Sequence, residues 1–253
     1  MRRFAFPFLA FAFLPAFALA QATTTYEPTV GQEGKDVVWV PTPQVVVDKM
    51  LELAKLTPKD FLMDLGSGDG RTVITAAKRG ARALGIEYNP DMVELSKRNA
   101  EKAGVSDRAQ FRKADLFETD FSQATVITMF LLPSINMKLR PKILALKPGT
   151  RIVSNTFTMD DWEPDEKADL ATTCDAHYCT ALFWVVPAKV PVKQATPAGE
   201  LNLKQTFQML SGTLVKDGKS IPVSGKVLGT AVSLKAGDRD LRGEVKGGKL
   251  ELH

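Results

Sequence analysis

The residues best suited to chemistry are Asp64-Leu65-Gly66-Ser67-Gly68-Asp69-Gly70, where an apolar run, Phe61–Leu65, gives way to a helical pattern. Glycines at 66, 68 and 70 remove Cβ atoms, so the backbone can turn tightly and approach a ligand closely. In doubly wound folds, ligands bind at the carboxyl edge of the parallel sheet. A further carboxylate, Glu87, ends the next apolar run after Gly85-Ile86. In that place it can accept hydrogen bonds from ribose hydroxyls. The dinucleotide pattern G-x-G-x-x-G puts its last glycine five residues after the first. Counted from Gly66, that position is Arg71. Asp64 and Asp69 would repel a pyrophosphate seated at the helix N-terminus, but they suit a ligand carrying an ammonium and a sulfonium. The residues therefore favour S-adenosylmethionine over NAD.

Alternating elements must hold that loop. Thr42-Pro43 predicts a helix start, with Thr42 as hydroxyl cap and proline at the first position, followed by the stripe Val46, Val47, Met50, Leu51 and Ala54. After the strand Phe61–Leu65, a helix through Val73, Ile74, Ala76 and Ala77 stops at Gly80. Ala83–Glu87 is a strand, and Asn89-Pro90-Asp91 opens a helix that ends at Gly104. Ala109–Ala114, Thr125–Leu131 and Arg151–Phe157 are further strands, with a helix over 134–146 that Pro141 is expected to kink or divide. Strands alternating with helices imply a parallel sheet covered on both faces. Leu170–Cys174 and Cys179–Val186 then read as neighbouring strands with no helix between them. Past Pro187, residues 188–199 carry Pro191, Pro197 and Gly199 and predict a linker. Residues 200–253 hold short alternating stretches broken by Asp217-Gly218, Gly237-Asp238 and Gly247-Gly248, which predicts a small antiparallel β appendage.

Together these residues resemble class I S-adenosylmethionine-dependent methyltransferases over roughly 36–187, with Asp64 to Gly70 as motif I and Glu87 in the ribose-binding place. Ala114-Asp115-Leu116-Phe117 falls where that family sets an acidic residue against the adenine amino group. The resemblance implies a Rossmann-like α/β domain over 37–187, its sheet mostly parallel and ending in an antiparallel pair. It further implies that Asp64, Leu65, Gly66, Ser67, Gly68, Asp69 and Gly70 surround the methionine moiety, Glu87-Tyr88-Asn89 the ribose, and Asp115 with Leu116 the adenine. Val40-Pro41-Thr42-Pro43, Leu131-Leu132-Pro133-Ser134-Ile135-Asn136 and Arg151-Ile152-Val153-Ser154 are similar, more narrowly, to the lysine methyltransferases that modify the ATP synthase c subunit and the adenine nucleotide translocase. That group implies an amine acceptor, a protein lysine, with Pro41, Thr42, Leu132, Pro133 and Asn136 as substrate-side candidates. Asn136 has a second reading as a polar residue at a helix start. Many relatives carry an Asn/Asp-Pro-Pro-aromatic motif after the fourth strand. Leu132-Pro133-Ser134-Ile135-Asn136 is not that motif, which disfavours nucleic-acid bases. A small-molecule methyltransferase and an exported, non-catalytic adenosyl-binding protein are the alternatives. No residue stands out as a catalytic base. Trp39 and Trp162 read as core or rim residues, or as lining of a substrate entrance.

The ends of the chain and its composition narrow the setting. Residues 1–22 place Arg2 and Arg3 before an uncharged Phe4–Ala20 run that closes on Ala18-Leu19-Ala20, the pattern of an export signal. The expectation is a periplasmic or secreted protein, held at a membrane only if that segment stays uncleaved, with 23–36 a flexible lead-in. Cys174 and Cys179 enclose four residues. A disulfide is the simplest account in an oxidising compartment; a metal site with Asp175 and His177, or two free thiols, are the other readings, and no metal is expected. The chain of 253 residues is 25% charged and 44% hydrophobic, which excludes disordered, collagen-like and coiled-coil classes. Lys plus Arg number 33 against 29 Asp plus Glu, without a basic stripe, so nucleic acid is not indicated.

Overall fold

The structure, a computed structural model, describes residues 26–253. The expected export segment and the first residues of the lead-in lie outside the described residues. The apolar runs form β1 (Phe61–Leu65), β2 (Arg82–Glu87), β3 (Ala109–Lys113), β4 (Val126–Met129) and β5 (Arg151–Asn155), all parallel. Helices α1 (Gln44–Leu53), α2 (Arg71–Lys78) and α3 (Pro90–Lys102) contribute Val47, Leu51, Val73, Ala77 and Val93 to a core that also holds Leu62 and Val126. Helix α4 (Pro133–Leu144) contributes Ile135, Leu139 and Ile143 to a second core with Met63, Ile127 and Ile152. Two such cores explain why β4 is buried throughout and shows no alternation. Strands β6 (Glu166–Asp169) and β7 (Thr180–Val185) complete a sheet of order β3-β2-β1-β4-β5-β7-β6, with β7 antiparallel to both its neighbours. The chain steps outward from β1 to β3 and returns to β4 on the other side of β1. Such a switch point opens a crevice at the carboxyl ends of β1 and β4.

Four local expectations need correction. Thr42 does not cap α1: the cap position is Pro43, no side chain bonds there, and the Thr42 carbonyl instead accepts from Arg71 Nη1 at 2.9 Å. Of the two outcomes expected at Pro141, division is the one that fails, since α4 runs through it. Proline costs an intrahelical bond, which the burial of Leu139 and Ile143 offsets. The strand expected over Leu170–Cys174 lies earlier, at β6, whose Glu-Lys-Ala-Asp sequence has no apolar alternation and pairs through its backbone at the sheet edge. Finally, 188–199 is not a plain linker, because it contains β8 (Lys193–Thr196) paired to β9 (Gly199–Thr206).

From β8 the chain continues as an antiparallel meander through β9, β10 (Met209–Lys216), β11 (Lys219–Leu228), β12 (Ala231–Ala236), β13 (Arg239–Lys246) and β14 (Lys249–Leu252). Leu203, Leu214, Val227 and Leu234 are among the residues of its own apolar core. The sheet curls until its two edges meet, where the Gln194 side chain bonds the Leu250 backbone in both directions. This unit docks on the larger domain through Phe207, stacked 5.8 Å from the fully buried Trp162 and 5.2 Å from the Arg140 guanidinium. Gln208 Nε2 donates to the Glu163 carbonyl at 2.7 Å, and Lys226 pairs with the buried Asp165 at 2.6 Å. Phe207→Ala should therefore lower global stability by about 2 kcal/mol, read in urea melts. An unchanged midpoint would mean that the docking face contributes nothing.

Candidate active site

The crevice between β1 and β4 is lined by the loop after β1, the ends of β2, β4 and β5, and a strap from Gln32 to Thr42. The glycines of the loop have left-handed φ values of 78° at Gly66, 54° at Gly68 and 84° at Gly70. Two of them also lack room for a side chain. A Cβ on Gly68 would sit 2.7 Å from the Trp39 indole nitrogen, and one on Gly70 would sit 2.8 Å from the Phe111 ring. The loop is tied to β2 by the Gly66 and Ser67 amides, which donate to the Ile86 carbonyl at 2.9 and 3.0 Å.

Glu87 braces the same loop from the end of β2. Its Oε2 accepts from the Gly68 amide and its Oε1 from the Asn89 amide, each at 2.9 Å. A carboxylate offers about four acceptor sites, so each oxygen keeps capacity for a ribose hydroxyl. Asp64, at the end of β1, is 6% exposed, and its Oδ1 accepts from Thr128 Oγ1 on β4 at 2.7 Å. Burial, with lesser contributions from the Glu87 and Asp69 charges, pushes its carboxyl up to about 7 against the opposing Thr128 bond. A group so placed gains from a nearby cation. Ser67 Oγ is buried without a hydrogen-bond partner. A glycine-floored crevice with an unsatisfied hydroxyl, a buried acid and a rigidly held Glu87 fits a cationic adenosyl ligand. Asp64, the Ser67 hydroxyl and Glu87 would hold it.

The other two acids, Asp69 and Asp115, are paired with cations of the chain. Asp69 is engaged by the Arg71 guanidinium, with Nε at 3.0 and 3.1 Å from its two oxygens, so its charge is largely answered within the chain. Asp115 Oδ1 accepts from the Phe117 amide at 2.9 Å, and its Oδ2 is ion-paired with Lys35. That lysine bond, then the Phe117 amide, holds the Asp115 carboxyl below its ordinary range, while the Lys35 ammonium is raised by the same pair. Lys35 also lies 4.8 Å from the Tyr88 ring. Of the lead-in expected to be flexible, residues 31–36 belong to a folded strap over residues 31–39. Gly31 donates to the Trp39 carbonyl and Trp39 to the Gln32 carbonyl, both at 2.9 Å, with Glu33 bridged to Val38.

Pro41, Thr42 and Leu132 line the crevice alongside Leu116, Tyr88 and Asn89. Pro133 starts α4, and Asn136 is fully buried, donating to the carbonyls of Phe157 at 3.2 Å and Thr158 at 3.0 Å. Asn136 therefore secures the loop after β5. Of the two tryptophans considered, Trp39 lines the crevice and Trp162 is core. Sequence reasoning missed Lys35, Phe130, Phe157 and Tyr178, all of which line it. The only signal for Phe130, Phe157 and Tyr178 was position, since each follows or precedes a strand that ends at this edge; Lys35, in the strap, carried none. The structure joins Cys174 to Cys179 in a disulfide, and no cluster of metal-binding side chains occurs among the described residues.

Gly70→Ala tests the loop geometry. Left-handed backbone and a clash with Phe111 should together cost about 2–4 kcal/mol. A thermal midpoint within a degree of wild type would refute the close packing.

Comparison with known proteins agrees with this geometry. A family model described as the ANTKMT methyltransferase domain matches residues 64–166. A protein-lysine N-methyltransferase of Saccharolobus islandicus is 49% identical over 133 residues, covering 51% of this chain and 83% of that protein. The adenine nucleotide translocase lysine N-methyltransferase of Mus musculus is 35% identical over 137 residues, covering 52% of this chain and 59% of that protein. A solved structure described as an RNA methyltransferase from Salinibacter ruber, in complex with S-adenosylhomocysteine, is 51% identical with a TM-score of 0.56. That match covers 60% of this chain and 97% of the other.

Proposed function

Because the chain belongs to the ANTKMT-type family of S-adenosylmethionine-dependent methyltransferases, we propose that its acceptor is the side-chain amine of a protein lysine. S-adenosylmethionine supplies a methyl group already activated on a sulfonium, so the chain's own residues have mainly to hold and align. Glu87 orients the adenosyl end over the glycine loop, and Asp64 provides negative charge beside the crevice floor. The acceptor nitrogen must arrive as the free amine, with its lone pair available. An apolar acceptor wall favours that form over the ammonium.

One observation carries this reading. Beyond the loop, the β4 and β5 side of the crevice is lined by Phe130, Leu131, Leu132, Ile135, Phe157 and Tyr178. Reading a base edge takes fixed hydrogen-bonding groups, and this wall offers little beyond a phenol. An alkyl chain ending in an amine needs no such groups. The lysine-specific name of the Saccharolobus islandicus relative supports the same reading. The description of the Salinibacter protein as an RNA methyltransferase favours RNA as a second acceptor.

Methyl-labelled S-adenosylmethionine, full-length chain and separate protein and RNA fractions distinguish the readings. We expect label in protein, recovered as methyllysine after acid hydrolysis. Label confined to RNA, or to a small solute, would overturn the proposal. The leader composition and the disulfide support an exported protein. Fractionation should find the processed chain outside the cytoplasm, and a full-length cytoplasmic product would refute export.

A further inference from the structure

One wall of the crevice is unexplained by cofactor binding. Phe130 follows β4, Phe157 follows β5 and Tyr178 precedes β7. Because β7 runs antiparallel to β5, all three reach the same edge of the sheet. Their rings form a triangle, with centroids 5.7 Å apart for Phe130–Phe157, 5.3 Å for Phe130–Tyr178 and 5.6 Å for Phe157–Tyr178. The phenylalanine rings are near parallel at 18°, whereas the tyrosine is turned 62° and 49° to them. Each side chain is half-buried, so ring surface remains open to the crevice.

Tyr178 differs from the other two in what holds it. It lies on an irregular segment between β6 and β7 that has few long-range backbone bonds. Its neighbour Cys179 closes the disulfide with Cys174, and both sulfur-bearing residues are buried. The covalent loop thus ends one residue from the ring.

Resting on the lysine reading above, we propose that Phe130, Phe157 and Tyr178, packed against one another, form one wall of the recess that receives the acceptor's alkylammonium group, and that the Cys174–Cys179 disulfide keeps Tyr178 in that wall. The methylene stem gains apolar contact against ring faces, and the charged end gains from their quadrupoles. Each added N-methyl weakens hydration of the cation, so a methylated ammonium is the better guest. An unmethylated ammonium is more strongly hydrated and gains less from the rings.

The test titrates Nα-acetyl-Nε-trimethyllysine amide, carbon-13 labelled at its N-methyls, into the full chain saturated with S-adenosylhomocysteine. Ring currents should move the methyl signal upfield, saturably, while Nε-acetyllysine amide gives no shift. Tyr178→Ala and Phe157→Ala should each weaken binding about tenfold, whereas Tyr178→Phe retains most of it. Unchanged S-adenosylhomocysteine affinity in all three reports an intact fold. Reducing the disulfide should weaken probe binding in the wild type and have no further effect in Tyr178→Ala. Wild-type affinity in both alanine variants would overturn the recess, and an equal effect of reduction in Tyr178→Ala would overturn the brace. If lysine is methylated but these variants leave KM and probe binding unchanged, the recess fails and the lysine reading stands. If the probe binds through the rings but no lysine is ever methylated, the recess stands and the lysine reading fails.

Discussion

Asp64→Asn should make the protein more stable at neutral pH and remove most of its affinity for S-adenosylmethionine. The Asp64 carboxyl is pushed to about 7 chiefly by burial, against 3.8 for a free aspartate. Between those values the folded state holds a proton that the unfolded state has released. Stability contributed by this group is therefore greatest in acid, and it declines as pH rises through the folded value. Above pH 7 the ionised carboxylate costs on the order of 4 kcal/mol. Asparagine keeps an acceptor for the Thr128 hydroxyl and carries no charge, so urea melts at pH 8 should shift to higher midpoint. A bound cation recovers that cost in the wild type by favouring the ionised form. Affinity should accordingly rise with pH through 7 and become flat in Asp64→Asn, as calorimetry in buffers of differing ionisation enthalpy would read. A variant that binds as well as wild type, with the same pH profile, would remove Asp64 from the site.

Glu87→Gln is the second large effect expected. The carboxylate accepts from two converging amides, those of Gly68 and Asn89. Glutamine preserves the shape but turns an NH2 group toward one of them, leaving a donor facing a donor. Losing a charge-assisted bond in a half-buried site costs about 2–3 kcal/mol. S-adenosylhomocysteine affinity should fall on the order of a hundredfold, and hydrogen exchange should accelerate at Gly68 or Asn89. Loss of affinity without faster exchange would mean that Glu87 acts on the ligand alone. Wild-type values of both would refute its bracing role.

The parts of the site legible in advance are those whose chemistry is local. Gly66, Gly68 and Gly70 announce left-handed backbone beside an acid, and Asn89-Pro90-Asp91 announces a helix start; the structure shows the Asn89 side chain accepting from Asp91. Continuous apolar runs similarly announce buried parallel strands. The misplaced elements have the opposite character. β6 is charged and owes its existence to backbone pairing with β7, and β8 likewise depends on β9. The strap over 31–39 closes on its own amides and on the packing of Trp39 against Gly68. None of these leaves a periodic signature.

Spacing along the chain was thus enough to specify the loop, the strand-ending acids and the order of βα units, because each follows from φ preference, burial or charge within a few residues. Which acids stay available, and which rings meet, was settled only by packing. Arg71 turns to Asp69, Lys35 crosses 80 residues of sequence to reach Asp115, and Phe130, Phe157 and Tyr178 converge from three strand ends. Such contacts depend on sheet order and on the antiparallel sense of β7, which no local pattern encodes.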